Sequence, residues 1–204
     1  MTAQPPRADR SPPRRRLGKH ERREAILAAA AAAFSREGFA ATSMGEVSAA
    51  AGVSHLIVYR HFSSKEALYE AVLRRAVESL ERALEAPGAI GRYGITPAAL
   101  LAGARSEPDA FTVLWRHATR EPMFAELVES ARRRLERATE DALTGVADPA
   151  QQRWAARATV AYLVESVLVW IEDGDQRLDD RFVAATDAAI RAGVRAWTRP
   201  RAVD

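Results

Sequence analysis

Apolar residues recur along most of the chain with the 3.6-residue period of an α-helix. One face of the first such segment is formed by four residues spaced three or four positions apart: Ile26, Ala30, Ala33 and Phe34. Gly38 is predicted to end this helix. A longer segment that begins near residue 64 has the same spacing on one face, at Leu68, Val72, Ala76 and Leu80. Both segments are therefore predicted to be helices with a buried face.

Helix start signals divide the rest of the chain. The pattern Ser-x-x-Glu occurs at residues 43–46 and 63–66, and it is typical of a capping box at a helix N-terminus. Proline just inside a helix start is predicted at Pro97, Pro108 and Pro149, while Pro122 either starts a new helix or kinks the previous one. No stretch alternates apolar and polar residues for long enough to predict a strand. The predicted fold class is all-α, with about nine helices.

Two short helices separated by a glycine turn stand out between residues 43 and 62. The first runs from about Met44 to Ala51 and stops at Gly52, and the second begins at the predicted N-cap Ser54 with Val58 directed inward. This arrangement is a helix-turn-helix, whose second helix can enter the major groove of DNA. Residues 1–65 contain 11 Lys and Arg against 5 Asp and Glu, whereas residues 66–204 contain 19 against 22. The basic N-terminal part favours an anionic partner.

The same residues carry a resemblance to a known family. The stretches TSMGEVSAAAGVS at 42–54, VYRHF at 58–62 and KEAL at 65–68 resemble the DNA-binding domain of the tetracycline-repressor (TetR/AcrR) family. The resemblance covers residues from about 20 to 70. The remainder of the chain is similar to the family only in length and in its helical pattern. The implied domains are a disordered basic arm at 1–18, the helix-turn-helix domain at 19–68, and a helical ligand-binding and dimerisation domain at 69–204.

The resemblance also implies roles for individual residues. Ser43 is expected to hold a phosphate at a helix N-terminus, Tyr59 and His61 to donate to phosphates, and Lys65 to supply a positive charge. Base reading is expected from His55, Leu56 and Ile57, next to Ser54 at the start of the recognition helix. A purely structural role for Tyr59 and His61 remains the alternative at this stage.

Two positions depart from the family pattern. Gly45 stands where a long polar side chain is frequent, and the neighbouring Met44 can replace it only by an apolar contact. The Leu56-Ile57 pair is bulkier and more apolar than the Gly-Thr that is often found there. Weaker direct readout of bases is therefore expected. The arginines of the N-terminal arm, Arg7, Arg10, Arg14, Arg15 and Arg16, either follow the DNA backbone or form a solvated tail.

Aromatic residues of the C-terminal part lie among polar groups. Such a mixture is typical of a small-molecule pocket, although helical aromatics are also common in a simple core. The hypothesised pocket residues are Phe111, Trp115, His117, Phe124, Tyr162 and Glu165. Residues 160–171 are apolar on nearly every face, and a second helix has a small-residue face at Phe182, Ala185, Ala189, Gly193 and Ala196. These two helices predict a four-helix interface of a homodimer.

Composition excludes several other classes. The chain has no cysteine, so disulfides, cysteine-ligated zinc and cysteine nucleophiles are excluded. No metal site, cofactor or catalytic signature is predicted, and the chain is expected to be a cytoplasmic protein without a membrane segment, not an enzyme. The predicted function is a ligand-responsive regulator, most simply a repressor, that binds double-stranded DNA as a homodimer and is released by an unknown small molecule. The alternatives are an activator or architectural DNA-binding protein without an inducer and, more distantly, an enzyme that uses the C-terminal pocket.

Overall fold

The computed structural model describes residues 18–198, and α-helices dominate this part of the chain. Nine α-helices occur within it: α1 Lys19–Ala41, α2 Met44–Ala50, α3 His55–His61, α4 Lys65–Leu84, α5 Pro97–Ser106, α6 Pro108–Thr112, α7 Ala125–Ala142, α8 Pro149–Asp173 and α9 Asp179–Trp197. The all-α prediction is confirmed. Residues 1–17 of the predicted basic arm (1–18), which include all five of its arginines, lie outside the described residues.

The first three helices form as the sequence predicts. The predicted apolar face of α1 is buried, with Ile26 and Phe34 fully inaccessible. The regular part of α1 ends at Gly38, whose φ of 79° lies in the left-handed region that favours glycine, and one further helical turn follows. Gly52 has a φ of 64° and ends α2 in the same way. Val58 of α3 is fully buried and packs in the same core.

The predicted N-cap residues of α2 and α3 occupy those positions, whereas the N-cap of α4 lies one residue later than predicted. Ser43 caps α2 through a reciprocal pair: the Glu46 N–H donates to Ser43 Oγ at 3.2 Å, and the Ser43 N–H donates to Glu46 Oε2 at 2.7 Å. Helix α4 is capped by Ser64, whose Oγ accepts from the Ala67 N–H, so the predicted box starting at residue 63 is off by one. Ser54 occupies the N-cap position of α3 without a side-chain cap.

A small β-hairpin follows α4, which the sequence pattern does not predict. Strands β1 Ile90–Gly91 and β2 Gly94–Ile95 pair antiparallel, with Ile90 opposite Ile95. Two-residue strands are too short to show alternation, so the pattern carries no signal for them. Gly94 has a φ of 101°, and a Cβ there would lie 2.3 Å from Thr139 Cγ2 of α7. The hairpin therefore packs on α7 at a position that only glycine fits.

Helix α6 continues into irregular turns. Residues Val113–His117 form a π-helical turn, and short 3-10 turns at Ala118–Arg120 and Pro122–Phe124 lead into α7. Pro122 thus begins a new turn instead of kinking an existing helix. A π-helical turn is frequently found at functional sites, because it displaces side chains from the regular helical positions.

Helix α4 joins the two parts of the fold. It packs against α1 on one side and against α5 on the other, and its buried face is the predicted one. Ser79 of α4 donates to the Gly103 carbonyl of α5 at 2.8 Å. Arg75 of α4 forms ion pairs with Glu24 of α1 at 2.9 Å and with Glu107, just before α6, at 2.6 Å. One continuous core therefore runs from α1 through α4 into the C-terminal helices.

Helix α8 is longer than the apolar run 160–171 suggests. Its 25 residues are sufficient in length and composition to cross a membrane, whereas the apolar run 160–171 alone is too short to do so. Eight residues of α8 are nevertheless buried in the protein core, where the helix packs against α5, α7 and α9. This is the packing of a central helix in a helical bundle.

Candidate nucleic-acid interface

Helix α3 presents an exposed face away from the core. His55 and Arg60 are exposed, Leu56 is 63% exposed and Tyr59 is 45% exposed. Ile57 is partly buried and packs against the core. The rings of His55 and Tyr59, one helical turn apart, meet edge to face with centroids 4.9 Å apart. The face therefore combines two hydrogen-bonding rings, one apolar side chain and one guanidinium, which are suited to phosphates and base edges.

The start of α2 lies exposed, but its N-terminus already holds an anion. The carboxylate of Glu46 accepts from the Ser43 backbone N–H, and this bond lowers the pKa of Glu46 below its ordinary value. The Ser43 side chain accepts from the Glu46 amide, and its own hydroxyl proton has no acceptor among the described residues. Gly45 is exposed, whereas the Met44 side chain is buried at 7% exposure. Met44 therefore does not form part of the exposed face expected from sequence.

Lys65, which was expected to supply a positive charge beside the DNA, has partners within the protein itself. Its ammonium donates to the carbonyls of Phe39 at 2.8 Å, Thr42 at 3.1 Å and Ala40 at 3.4 Å, and lies 4.5 Å from the centroid of the Phe39 ring. These carbonyls lie at the C-terminus of α1, where a helix stabilises a positive charge. Because an ammonium has three donors, the structure already uses all of them. Lys65 holds the junction between α1 and α2.

Basic residues at the start of α1 lie beside the end of α3. Burial lowers the pKa of His61, and the positive charges of Lys19, Arg22 and Arg23 lower it further. The Arg23 guanidinium lies 5.3 Å from the centroid of the Phe62 ring, directly after α3. These residues of α1, and Arg60 of α3, were not among the DNA-contacting residues predicted from the sequence. The signal for Arg60 was its position between Tyr59 and His61, whereas the approach of α1 to α3 depends on tertiary packing.

The six residues expected to border a C-terminal pocket do not surround one cavity. Phe111 and Trp115 are buried and in contact, with ring centroids 6.3 Å apart. Tyr162 is 44% exposed. The carboxylate of Glu165 is also exposed and is paired with Arg116 at 3.0 Å. The helical phase of α8 turns Tyr162 and Glu165 away from the core, so the hypothesised pocket does not enclose them.

The two remaining members of that set contact the N-terminal part of the chain. His117 Nε2 lies 2.9 Å from the Ser35 carbonyl of α1, in the turn before Gly38. Phe124 is buried at 6% exposure, and its ring contacts Tyr69 at 4.9 Å and Phe39 at 6.0 Å between centroids. These contacts link the segment between α6 and α7 to α1 and α4.

A cleft of about 800 Å³ lies between α4 and α7. Its floor is apolar and consists of Ala67, Val77, Phe124, Leu127 and Ala131. Its walls carry five carboxylates, at Glu66, Glu70, Glu78, Glu81 and Glu126, and two guanidinium groups, at Arg74 and Arg134. Phe124 is the one residue that this cleft shares with the pocket predicted from the sequence.

Comparison with known proteins identifies the N-terminal domain. A family model described as bacterial regulatory proteins, tetR family, matches residues 26–72. The HTH-type transcriptional activator FasR of Mycolicibacterium smegmatis is 48% identical over 65 residues, which are 32% of this chain and 30% of that protein. The HTH-type transcriptional repressor Rv3405c of Mycobacterium tuberculosis is 39% identical over 111 residues, which are 50% of this chain and 57% of that protein. The chain thus spans about half, or less, of the length of these curated relatives.

Solved structures match along nearly the whole described chain. A TetR-like transcriptional regulator from Rhodococcus sp. RHA1 has a TM-score of 0.69 and 26% identity, and the match covers 89% of this chain and 98% of that one. A tetR-family regulator from Streptomyces coelicolor has a TM-score of 0.55 and 26% identity, covering 90% and 92%. These proteins are all named as transcriptional regulators, in agreement with the prediction that the chain is not an enzyme. Residues 26–72 thus match the tetR family of bacterial regulatory proteins, and the fold of the chain is similar to those of TetR-like transcriptional regulators.

Proposed function

We propose that the chain is a cytoplasmic transcriptional regulator that binds a pseudo-palindromic operator in double-stranded DNA as a homodimer and is released by a small molecule. The main support is the exposed face of α3 within a tetR-type domain, flanked by the basic first turns of α1. The FasR relative is named an activator and the Rv3405c relative a repressor. The repressor match extends over the longer stretch, so we propose repression, with activation as the alternative.

The proposed DNA contacts come from three places in the fold. His55, Leu56 and Tyr59 face the major groove from α3, with Ser54 and the edge of Ile57 beside them. Ser43 and the backbone at Gly45 approach a phosphate from α2, while His61 and Arg60 approach another from the end of α3. Lys65 contributes its charge to the local field and holds the α1–α2 junction in place.

The proposed dimer forms through α8 and α9. Tyr162 and Val169 of α8 are exposed apolar side chains, and Ala185, Ala189 and Ala196 of α9 are exposed small residues. Small residues let two helices approach closely, and the neighbouring apolar side chains gain burial when a second copy packs against them. A dimer of this kind presents two α3 helices about 34–36 Å apart, one turn of DNA.

Selection of bound duplexes from a random DNA pool tests the DNA-binding proposal. We expect a pseudo-palindromic motif, and binding to it that weakens steeply with salt. Leu56→Ala is expected to weaken binding to the selected motif about tenfold while changing binding to unrelated DNA little, since apolar base contacts specify sequence. Leu178→Ala is the matched control, because Leu178 is also an exposed leucine, 44% accessible, and lies outside the proposed DNA interface.

Failure to enrich any motif, or equal losses in the two leucine variants, would contradict the proposed role of α3. A reporter gene placed behind the selected motif then separates repression from activation by the sign of its response to the regulator.

Light scattering after size exclusion tests the dimer. Val169→Arg places a charge on the proposed interface and is expected to yield a monomer at micromolar concentration. Glu129→Arg, on the exposed face of α7, is expected to leave the dimer intact. A wild-type monomer under these conditions, or a Val169→Arg dimer, would contradict the assignment of α8.

A further inference from the structure

The cleft between α4 and α7 combines a size and a charge that suit a particular kind of ligand. Its volume of about 800 Å³ lies within the range of small-molecule sites, about 300–1,000 Å³. The apolar floor favours an apolar body, because burial of that body removes it from water. The walls carry more negative than positive groups, which favours a cation.

Ion pairs neutralise only part of the acidic wall. Arg74 pairs with Glu70 along α4, and Arg134 pairs with Glu81 across the cleft. Glu126 pairs with Arg133, at 2.6 Å.

Two further carboxylates, Glu66 and Glu78, have no ion-pair partner among residues 18–198. Glu66 lies at the start of α4, where hydrogen bonds from its own backbone N–H and from the Ser64 side chain lower its pKa. Glu78 lies about 120° further around the same helix, so the two carboxylates stand at opposite edges of the face of α4 that lines the cleft. The cleft therefore keeps two negative charges over an apolar floor.

We propose that the cleft between α4 and α7 binds an organic cation with an apolar body, and that this cation is the effector of the regulator. This inference rests on the proposed function, because the proposed function includes release from DNA by a small molecule. The inference adds the binding site and the chemical class of that molecule. Of the six pocket residues predicted from the sequence, the proposed effector site includes Phe124 and none of the other five.

Contacts beneath the floor connect the cleft to the DNA-binding domain. Phe124 contacts Tyr69 and Phe39, whose ring centroids are themselves 4.9 Å apart. The Phe39 ring and carbonyl both contact the ammonium of Lys65, which also binds the carbonyl of Thr42, the residue before Ser43. A ligand that displaces Phe124 therefore acts on a packed series of side chains ending at the first residue of the α2 cap.

A buried polar group lies directly behind the floor. The Tyr69 side chain is fully buried, and its hydroxyl has no hydrogen-bond partner among the described residues. Burial raises the pKa of this hydroxyl, and the nearby charge of Glu121 raises it further. A buried hydroxyl without a hydrogen-bond partner costs free energy, so the packing beneath Phe124 is less stable than that of a core with every polar group paired.

Calorimetric titration of the full chain with tetraphenylphosphonium tests the proposal. Tetraphenylborate is the matched control ligand, since it has the same shape and the opposite charge. We expect the phosphonium to bind and the borate to bind at least about tenfold more weakly. Equal affinity for the two ions, or binding of neither, would overturn the cation site.

Variants locate the site. Glu78→Gln and Glu66→Gln should each weaken phosphonium binding about fivefold, the effect of one charge about 5 Å away when it is screened almost as strongly as in bulk water. Glu129→Gln, an exposed carboxylate of α7 outside the cleft, should leave it unchanged. Ser130→Trp, which fills the cleft from an exposed position, should abolish binding while thermal unfolding shows a folded protein. Full binding by Ser130→Trp, or equal losses in all three glutamate variants, would overturn the location.

A DNA-binding titration on the selected operator separates this inference from the proposed function. The phosphonium should weaken operator binding by the wild type and not by Ser130→Trp. Phosphonium binding with unchanged operator affinity would overturn the effector role while the chain remains a DNA-binding regulator. Absence of sequence-specific DNA binding at any ligand concentration would instead overturn the proposed function itself.

Discussion

Substitution of Lys65 by methionine separates a structural role of this residue from a phosphate contact. Methionine keeps a long apolar side chain but removes the ammonium, which donates to the Phe39 and Thr42 carbonyls at 2.8 and 3.1 Å. A hydrogen bond to a charged group contributes about 1.5–3 kcal/mol. Lys65 is only partly buried, and water can reach part of the freed carbonyls. We therefore expect a loss of about 2 kcal/mol, including about 0.5 kcal/mol from the contact with the Phe39 ring.

Urea denaturation followed by circular dichroism measures this loss. With an m-value of about 2.5 kcal/mol per molar urea, the midpoint should fall by about 0.8 M. Arg60→Met is the control, because Arg60 is exposed on α3 and has no ion pair within residues 18–198. That control should leave the midpoint unchanged and reduce the salt dependence of DNA binding by about one phosphate contact, a slope change of about 0.9.

The opposite pattern would refute the reasoning. If Lys65→Met leaves the urea midpoint within about 0.2 M of the wild type and reduces the salt slope as much as Arg60→Met does, Lys65 is a phosphate ligand and not a helix cap.

Three further predictions concern other parts of the fold. The pKa of Glu46 is lowered in the folded protein, so the ionised carboxylate stabilises the fold at pH values above its ordinary pKa of 4.5. This stabilisation disappears as the pH falls through the lowered pKa of the folded state. The difference in urea midpoint between the wild type and Glu46→Gln should therefore shrink from pH 6 to pH 3. Gly94→Ala should destabilise the protein by about 3 kcal/mol, from backbone strain plus overlap with Thr139. Gly88→Ala, where φ is also positive at 78° but the space is open, should cost about 1 kcal/mol in the same urea measurement. Tyr69→Phe removes an unpaired buried hydroxyl and should leave the thermal unfolding midpoint equal or higher; a clear decrease would indicate a hydrogen bond that the structure does not contain.

The sequence predicted what depends on neighbours along the chain. The cap at Ser43 and the buried faces of α1 and α4 follow from local spacing, because a helix brings residues three or four positions apart together. The helix-turn-helix follows from the same local spacing and from Gly38 and Gly52, the two glycines with positive φ that end the regular parts of α1 and α2. The exposed face of α3 could be predicted in the same way, since Val58 fixed the side that turns inward.

Contacts between distant segments were not predictable from spacing. Nothing near Lys65 in the sequence indicates that its ammonium binds carbonyls more than 20 residues earlier. Tyr162 and Glu165 lie in an apolar run, but only the packing of α8 against its neighbours determines that they face outward. The cleft between α4 and α7 was missed for the same reason, because its two walls are separated by the hairpin, α5, α6 and the irregular turns.

Helix α4 belongs to both parts of the fold, so a small rotation of this helix at one end becomes a larger displacement at the other end. Its 20 residues span about 30 Å, and a rotation of about 5° about one end moves the other end by about 2.6 Å. That displacement is comparable to the length of a hydrogen bond, and in the proposed dimer the displacements of the two α4 helices add. We therefore expect that a change too small to disturb the core around Leu80 is sufficient to move α3 out of register with the major groove that we propose it reads.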